Sequence, residues 1–279
     1  MRVRAIRDLT QLADPAFFAA IAEGLGLVVK NIGRLYDGAA TLAEAKQPHP
    51  ARVLALIAEE EAAKLLILMD AVRCPRLPPE RLARQLSRFN DHLAKGLYAK
   101  ACTWCPATIE QLQEYVNHDR REFYLDGPND VDWIFRNEVI QGREGALYVD
   151  YVANDDTHNW SDPAQFEDLI FSTPEPWSVT TARHLYDAGI STPDAVAVVA
   201  EVWRSMPTEP GTRFNRIQSM NRHTLTLLES RGLLKDQPAS TYSWIVEQWQ
   251  FPMYDLDLSM IPVKLETLRE QQRNWSPEY

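Results

Sequence analysis

Residues 53–68 read VLALIAEEEAAKLLIL, an apolar helical pattern with three consecutive glutamates and a lysine set into its middle. On a helix, Val53, Ile57, Glu60, Lys64 and Ile67 share one stripe and Leu54, Glu61, Leu65 and Leu68 the adjacent one. Carboxylates therefore interrupt a core-facing surface. Isolated ionised groups in an apolar interior lose several kcal/mol of solvation, so the pattern demands partners. Two readings stand side by side. Glu60 and Lys64 pair along the helix, worth only about 0.2–0.5 kcal/mol, or Glu60, Glu61 and Lys64 anchor a polar network with other helices that shapes a site.

The flanks are helical as well. Asp14-Pro15 is a start signal, with Asp as N-cap and Pro at the first helical position. From there Ile21, Leu25, Val28, Ile32, Leu35, Ala39 and Leu42 alternate spacings of four and three, the seam of an antiparallel bundle. Gly24, Gly26, Gly33 and Gly38 weaken that helix unless close backbone approach compensates. Pro48-His49-Pro50 breaks it, a second helix covers about 51–72, and CPRLPP ends that one. A third helix is expected over 79–101 with Leu82, Leu86, Phe89, Leu93 and Leu97 inward and Arg84, Arg88, His92 and Lys95 as a separate basic ridge. A fourth follows Pro106, with Ile109, Leu112, Val116 and Phe123 on one face. DGPND at 126–130 is a turn, and a fifth, shorter helix spans 133–143.

At 146–152, ALYVDYV, β-formers dominate and predict a short extended segment, followed by a loop, ANDDTHNWSDP. STPEPW at 172–177 marks a boundary. Helical patterns return near 180–188, 194–206 and 213–231, the last closed by Gly232. The fold class is thus all-α: an antiparallel helical bundle over 1–172 and a helical C-terminal extension over 173–279.

Composition bounds the function. A chain of 279 residues, 45% hydrophobic and 24% charged, is an ordinary globular protein. The uncharged apolar runs fall short of the ~20 residues that cross a bilayer, and MRVRAIRDLT lacks a signal-peptide core, so a cytoplasmic protein without a membrane partner is expected. Three cysteines form no disulfide framework, Cys102 and Cys105 lack a βαβ context or a second pair for zinc, and the histidines show no metal-ligand spacing. No metal or cofactor is expected. The net charge of −10 repels phosphates on average. One local exception exists at 80–100, where Arg81, Arg84, Arg88, Lys95 and Lys100 outnumber Glu80 and Asp91.

The order AEEEAAK, FNDHLAK, then REGALYVDYV followed by WSDP resembles the AbiV family of abortive-infection proteins, classed with the HEPN helical domains, over roughly residues 25–170. The resemblance implies an all-α HEPN-like bundle acting in cytoplasmic phage defence. Many HEPN domains are metal-independent endoribonucleases in which an arginine and a histidine of an Arg-x4-6-His motif from two protomers meet at a dimer interface. RNA cleavage through the 2′-hydroxyl needs a proton acceptor near neutrality and a cation for the developing phosphorane charge. This chain departs from that motif. Arg88 gives Arg-x3-His with His92, Arg84 gives Arg-x7-His, and no histidine follows Arg136-Asn137 within reach. The literal match, Arg216-x6-His223, lies outside the resembling region, and about one such match arises by chance in a chain of this composition.

The residues that emerge are His92 with Arg88 as candidate catalytic groups, and Glu60, Glu61, Lys64 and Lys95 as the polar network, either orienting two helices or opening into a cleft for RNA or another phosphate ligand. Arg143, Tyr148, Asp150 and Trp160 carry the second motif. An Arg143–Asp150 ion pair pinning the extended segment, with Trp160 over the core edge, is the simplest arrangement; direct ligand contact is the other. Trp177, Trp203, Trp244, Trp249 and Trp275 crowd the C-terminal third, and exposed Trp would mark a partner surface. The expected partners are a second copy of the chain, RNA, or a phage or host protein. The functional expectation is suppression of translation by RNA binding or cleavage, with a non-catalytic interaction module as the alternative.

Overall fold

A computed structural model describes residues 5–123, 137–154, 157–164, 175–205 and 209–274, with the side chains of 150, 152–154 and 157–159 outside that description. Among the described residues the protein is all-α apart from one hairpin. The two long helices, α1 (Asp14–Glu44) and α2 (Pro48–Arg73), lie against each other along the expected seam. Phe17, Ile21, Leu25, Val28, Ile32 and Ala39 are buried there. Of the seam glycines, Gly24 and Gly38 do face close neighbours, Leu68 and Leu54, whereas Gly26 and Gly33 border open space, so close approach accounts for only two of the four. Among the described residues α1 is also the one helix long and apolar enough to cross a bilayer by length and composition; here its apolar stripe is occupied by α2.

Helix ends differ from the sequence reading in instructive ways. Ala13, not Asp14, is the N-cap of α1. The Asp14 carboxylate instead binds the Arg204 guanidinium at 3.1 Å, tying the helix start to α8 (Pro193–Arg204). Pro48 and Pro50 do not separate α1 from α2 by breaking the chain into a loop; they form the first turn of α2, where a missing N–H costs nothing. The expected third helix is interrupted. α3 (Pro79–Ser87) passes through a 3-10 turn over 88–90 before α4 (His92–Ala101), because the Asp91 side chain accepts from the Ala94 N–H at 3.0 Å and starts a new helix.

α5 (Ile109–Asp119) stops short of Phe123. α6 (Glu138–Leu147) begins where Asn137 caps it, with its Oδ1 accepting from Val139 N at 2.9 Å, so Ala146 and Leu147 are helical rather than extended. The expected turn at 126–130 and the start of the fifth helix lie outside the described residues. The extended segment begins at β1 (Asp150–Asn154), and the expected loop contains its antiparallel partner, β2 (Thr157–Ser161), with Tyr151 opposite Trp160.

α7 (Trp177–Asp187), α8, α9 (Phe214–Ser230) and α10 (Ala239–Gln248) complete the packing, and α11 (Leu265–Asn274) is exposed. α7 and α8 both pack on α1 and α2, and one hydrophobic cluster runs from Phe17 to Leu258. Its polar centre is a network not legible in the sequence. Asp70, fully buried, accepts from Arg73 Nε at 2.9 Å, Tyr98 Oη at 2.7 Å and Met253 N at 2.7 Å. Arg73 is held between the Trp203 and Trp249 rings, 4.6 Å from each, and donates to Gln250 O at 2.9 Å.

Two contacts seat the body of α6 against α2 and α4. His49 hydrogen-bonds Ala146 O at 2.9 Å, and Gly96 of α4 meets Val139 so closely that an added Cβ would sit 2.1 Å from Val139 Cγ1. Gly96→Ala is expected to push α6 off α4 at a cost of about 1–2 kcal/mol, read as a lowered urea midpoint with unchanged slope. An unchanged midpoint would mean that α6 is not seated there.

Candidate functional site

The carboxylate of Glu60 collects three cationic or ionisable groups from two other helices. Lys95 Nζ lies 2.7 Å from Oε2, Arg143 Nε 2.6 Å from Oε1, and His92 Nδ1 3.2 Å from Oε1. α2 supplies the acid, α4 supplies His92 and Lys95 one turn apart, and α6 supplies Arg143. Burial alone would raise the Glu60 pKa, but the Lys95 hydrogen bond and charge, helped by His92 and Arg143, hold it below the ordinary carboxylate value. Glu60 is thus an ionised hub. Lys95 is buried, whereas the His92 side chain is 52% exposed.

The imidazole has two neighbours with opposite demands. Glu60 accepts, favouring the proton on Nδ1 and a free acceptor at Nε2; Lys95 Nζ, 3.3 Å from Nδ1, donates, favouring the proton on Nε2. The ring is therefore fixed in place while either tautomer stays accessible. His92 and Arg143 line an open cleft of about 300 Å³ with Arg52, Glu59, Lys100 and Glu138, floored by Gly96, Ala99 and Val139.

Several expected members are elsewhere. Arg88 is not part of this cluster: only 5% exposed, it donates to Gln85 Oε1 at 2.7 Å and to the carbonyls of Met253 and Leu256. The 3-10 turn at 88–90 aims it into the core, away from His92. Glu61 and Lys64 pair with each other at i,i+3, Lys64 resting on the Phe89 ring, so Glu60 and Lys64 form no i,i+4 pair. The basic residues of 80–100 stay partly exposed at Arg84 and His92 but are mostly paired. Arg81 and Arg84 face Asp255 at 2.8 and 3.9 Å, Lys100 binds Asp119 at 2.7 Å, and Lys95 belongs to Glu60.

Arg143 pairs with Glu60; the expected pair with Asp150 falls on a side chain outside the described residues. Trp160 does not cover the core. It is 66% exposed and packs at 5.1 Å on Tyr151, making with Tyr148 and Val149 an exposed apolar patch beyond the end of α6. In the C-terminal third, Trp203 and Trp249 are core and Trp177 is exposed against Trp244; Trp275 is outside the description. Arg216 and His223 lie exposed on α9.

The sequence reading missed Glu59 as a site residue. Among the described residues it has no hydrogen-bond or ion-pair partner, and burial pushes its carboxyl up to about 7. Its signal was present as the first glutamate of the run, with Ala55 and Ala63 rather than a cation one turn either side. No group of three or more His, Cys, Asp or Glu side chains suited to a metal ion occurs among the described residues.

The matched helices and the hairpin lie within the span of a family model, HEPN_AbiV, described as AbiV, which covers residues 20–169. The chain belongs to the AbiV family. Abortive infection, a phage-defence role, is what this membership carries. Glu60, His92, Lys95 and Arg143 all fall inside the AbiV span, while Arg88's carbonyl partners fall beyond it. No curated protein and no solved structure matches the chain.

Proposed function

We propose that this AbiV-family protein suppresses translation during phage infection by acting on RNA, and that the cleft between α2, α4 and α6 engages the phosphodiester. One observation carries the reading: a half-exposed imidazole, His92, fixed by the Glu60 carboxylate on the wall of an open cleft that Arg143 also lines. In transesterification the 2′-hydroxyl loses a proton to an acceptor as its oxygen attacks phosphorus, and the leaving 5′-oxygen takes a proton from a donor. His92 Nε2 suits the first role when Glu60 holds the Nδ1 proton, and the protonated ring suits the second. Arg143 spends one N–H on Glu60, and a guanidinium has further donors for a phosphorane oxygen. Because Arg143 belongs to the same chain, a second protomer need not supply the cation.

The test is purified full-length protein incubated with tRNA and with total RNA. Wild type is expected to give discrete fragments, and His92→Ala to lose roughly 10²-fold or more in rate with its melting curve unchanged. Fragments that persist in His92→Ala would sink the reading.

A second reading has its own support. The exposed Tyr148, Val149, Tyr151 and Trp160 suit a protein partner, and the neutralised ridge leaves little surface for long RNA. Under that reading RNA stays intact and a phage or host protein co-purifies with wild type but not with Trp160→Ala.

A further inference from the structure

The cleft does not end at Glu60. A second hollow of about 350 Å³, walled by Ala55, Thr103, Pro176, Trp177 and Ser178, shares Arg52, Leu56, Glu59 and Ala99 with the first, so one groove follows α2 from the His92 end towards α7. Its chemistry changes along the way. The far part is the more apolar, with Ala55, Pro176 and the exposed Trp177 next to the shared Leu56. Arg52 and Glu59 stand on the shared wall. They are seven residues apart on α2, two turns along the same face, which separates them by about 10 Å along the axis. That spacing prevents a direct ion pair and matches the span from the phosphate of a nucleotide to the far edge of its base.

We propose that this groove binds a guanine nucleotide of single-stranded RNA, with the phosphate on Arg52, the base against Leu56, Pro176 and Trp177, and the Glu59 carboxylate accepting from the guanine N1–H and exocyclic amine. The argument for guanine is donor counting. An ionised carboxylate is acceptor-only. Guanine alone presents two adjacent donors on its pairing edge; adenine and cytosine present a donor beside an acceptor, and uracil a donor between acceptors. An aromatic wall that stacks a base tolerates any of the four, so the carboxylate must carry the choice. Glu59 is available for it: two of the other acids in the groove are engaged, and Glu138 stands exposed at the start of α6, on the part of the cleft that the second hollow does not share. Glu60 holds its three cationic partners, and Glu175 binds Arg183 and accepts from Thr180 Oγ1 at 3.0 Å.

In the groove Glu59 has its carboxyl pushed up to about 7 by burial and shares the lining with Arg52 and Glu60 on α2, His92 and Lys100 on α4, Glu138 and Arg143 on α6, and Glu175 ahead of α7. Guanine binds the ionised form, so binding releases a proton near neutrality. Affinity for guanine nucleotide therefore rises from pH 6 to pH 8, the protonated carboxyl having to give up its proton first.

This assignment rests on the RNA reading of the cleft, yet it fails or stands separately. Calorimetric titration of the full chain with 5′-GMP, 5′-AMP, 5′-CMP and 5′-UMP at pH 7.5 is expected to show GMP bound roughly tenfold or more tighter than the others, the discrimination of one bidentate base contact. Glu59→Gln, which keeps the shape and removes a poorly solvated charge, is expected to fold and to lose that preference; Arg52→Ala is expected to weaken all four alike. Equal binding of the four nucleotides, no GMP binding at millimolar concentration, or an intact preference in Glu59→Gln would overturn the guanine site. RNA fragments cut without regard to base would overturn it while leaving the phosphodiester cleft standing. Selective GMP binding that Glu59→Gln abolishes, in a protein that cleaves no RNA, would do the reverse.

Discussion

Asp70→Ala is expected to lower the unfolding free energy by about 3–5 kcal/mol, a large share of the 5–15 kcal/mol typical of a folded domain. The magnitude comes from what is left behind. Asp70 sits fully buried where α2 ends, and its carboxylate answers the Arg73 guanidinium, the Tyr98 hydroxyl and the Met253 amide at once. Deleting it leaves a guanidinium charge enclosed between two tryptophans with only a backbone carbonyl as acceptor, and strands a buried N–H. Burial and the Asp70 charge also hold the Tyr98 hydroxyl well above its ordinary pKa, so the phenol stays a donor at any working pH. Urea unfolding measures the loss, and hydrogen exchange localises it: the Met253 amide is expected to lose protection with the global transition. A loss under 1 kcal/mol would mean that the 250–258 segment is not anchored through this carboxylate.

That anchor shows why parts of the fold were readable and others were not. The α1 seam declared itself because its spacing alternates four and three without interruption, and an apolar stripe needs no knowledge of its partner to be recognised. The polar residues are different. Arg73, Arg84 and Arg88 look like surface or ridge cations by helical spacing, but their acceptors include the carbonyls of Gln250, Tyr254, Met253 and Leu256, more than 160 residues away in sequence. No local pattern encodes a pairing of that separation. The segment that supplies those carbonyls, QFPMYDLDL, is neither helix nor strand and needs side-chain donors to satisfy its buried backbone.

The break after Arg88 was legible in principle, since Asn90-Asp91 ahead of an apolar run is a cap signal; read as one continuous helix, 79–101 put Arg88 and His92 on a common ridge. At the cleft, the contacts of Glu60 with His92 and Lys95 follow from α2 and α4 facing each other, and the glutamate run was the sign that such partners were needed. Sequence proximity pointed Arg143 to Asp150; α6, seated on Gly96 and tied to His49, also brings the guanidinium to Glu60 on another helix, a contact that no local spacing announces. Hairpin strand β2 escaped notice because THNWS carries little β-propensity of its own and is held by pairing with β1.

Glu60→Ala is expected to cost about 2–4 kcal/mol, below the figure for Asp70 because the cluster opens onto solvent at His92 and Arg143. Lys95 dominates the loss, since its buried ammonium pairs with no other carboxylate among the described residues. The sign with pH follows from the depressed pKa. Glu60 contributes fully above the unfolded carboxylate value of about 4.3 and fades as pH falls through its lower folded value, so the stability gap between wild type and Glu60→Ala is expected to close below about pH 4. Placing this variant beside His92→Ala separates two roles. Removing His92 leaves the Lys95 and Arg143 pairs intact, so stability holds while RNA cleavage falls; removing Glu60 lowers both, because the imidazole loses the acceptor that fixes it. Glu60→Gln completes the comparison by keeping an acceptor for one partner without the charge, and is expected to recover part of the stability while the Lys95 ammonium remains undercompensated. If Glu60→Ala unfolded at the wild-type urea concentration at pH 7, the carboxylate would not be the hub of the cleft, and His92 would have to be positioned by Lys95 alone.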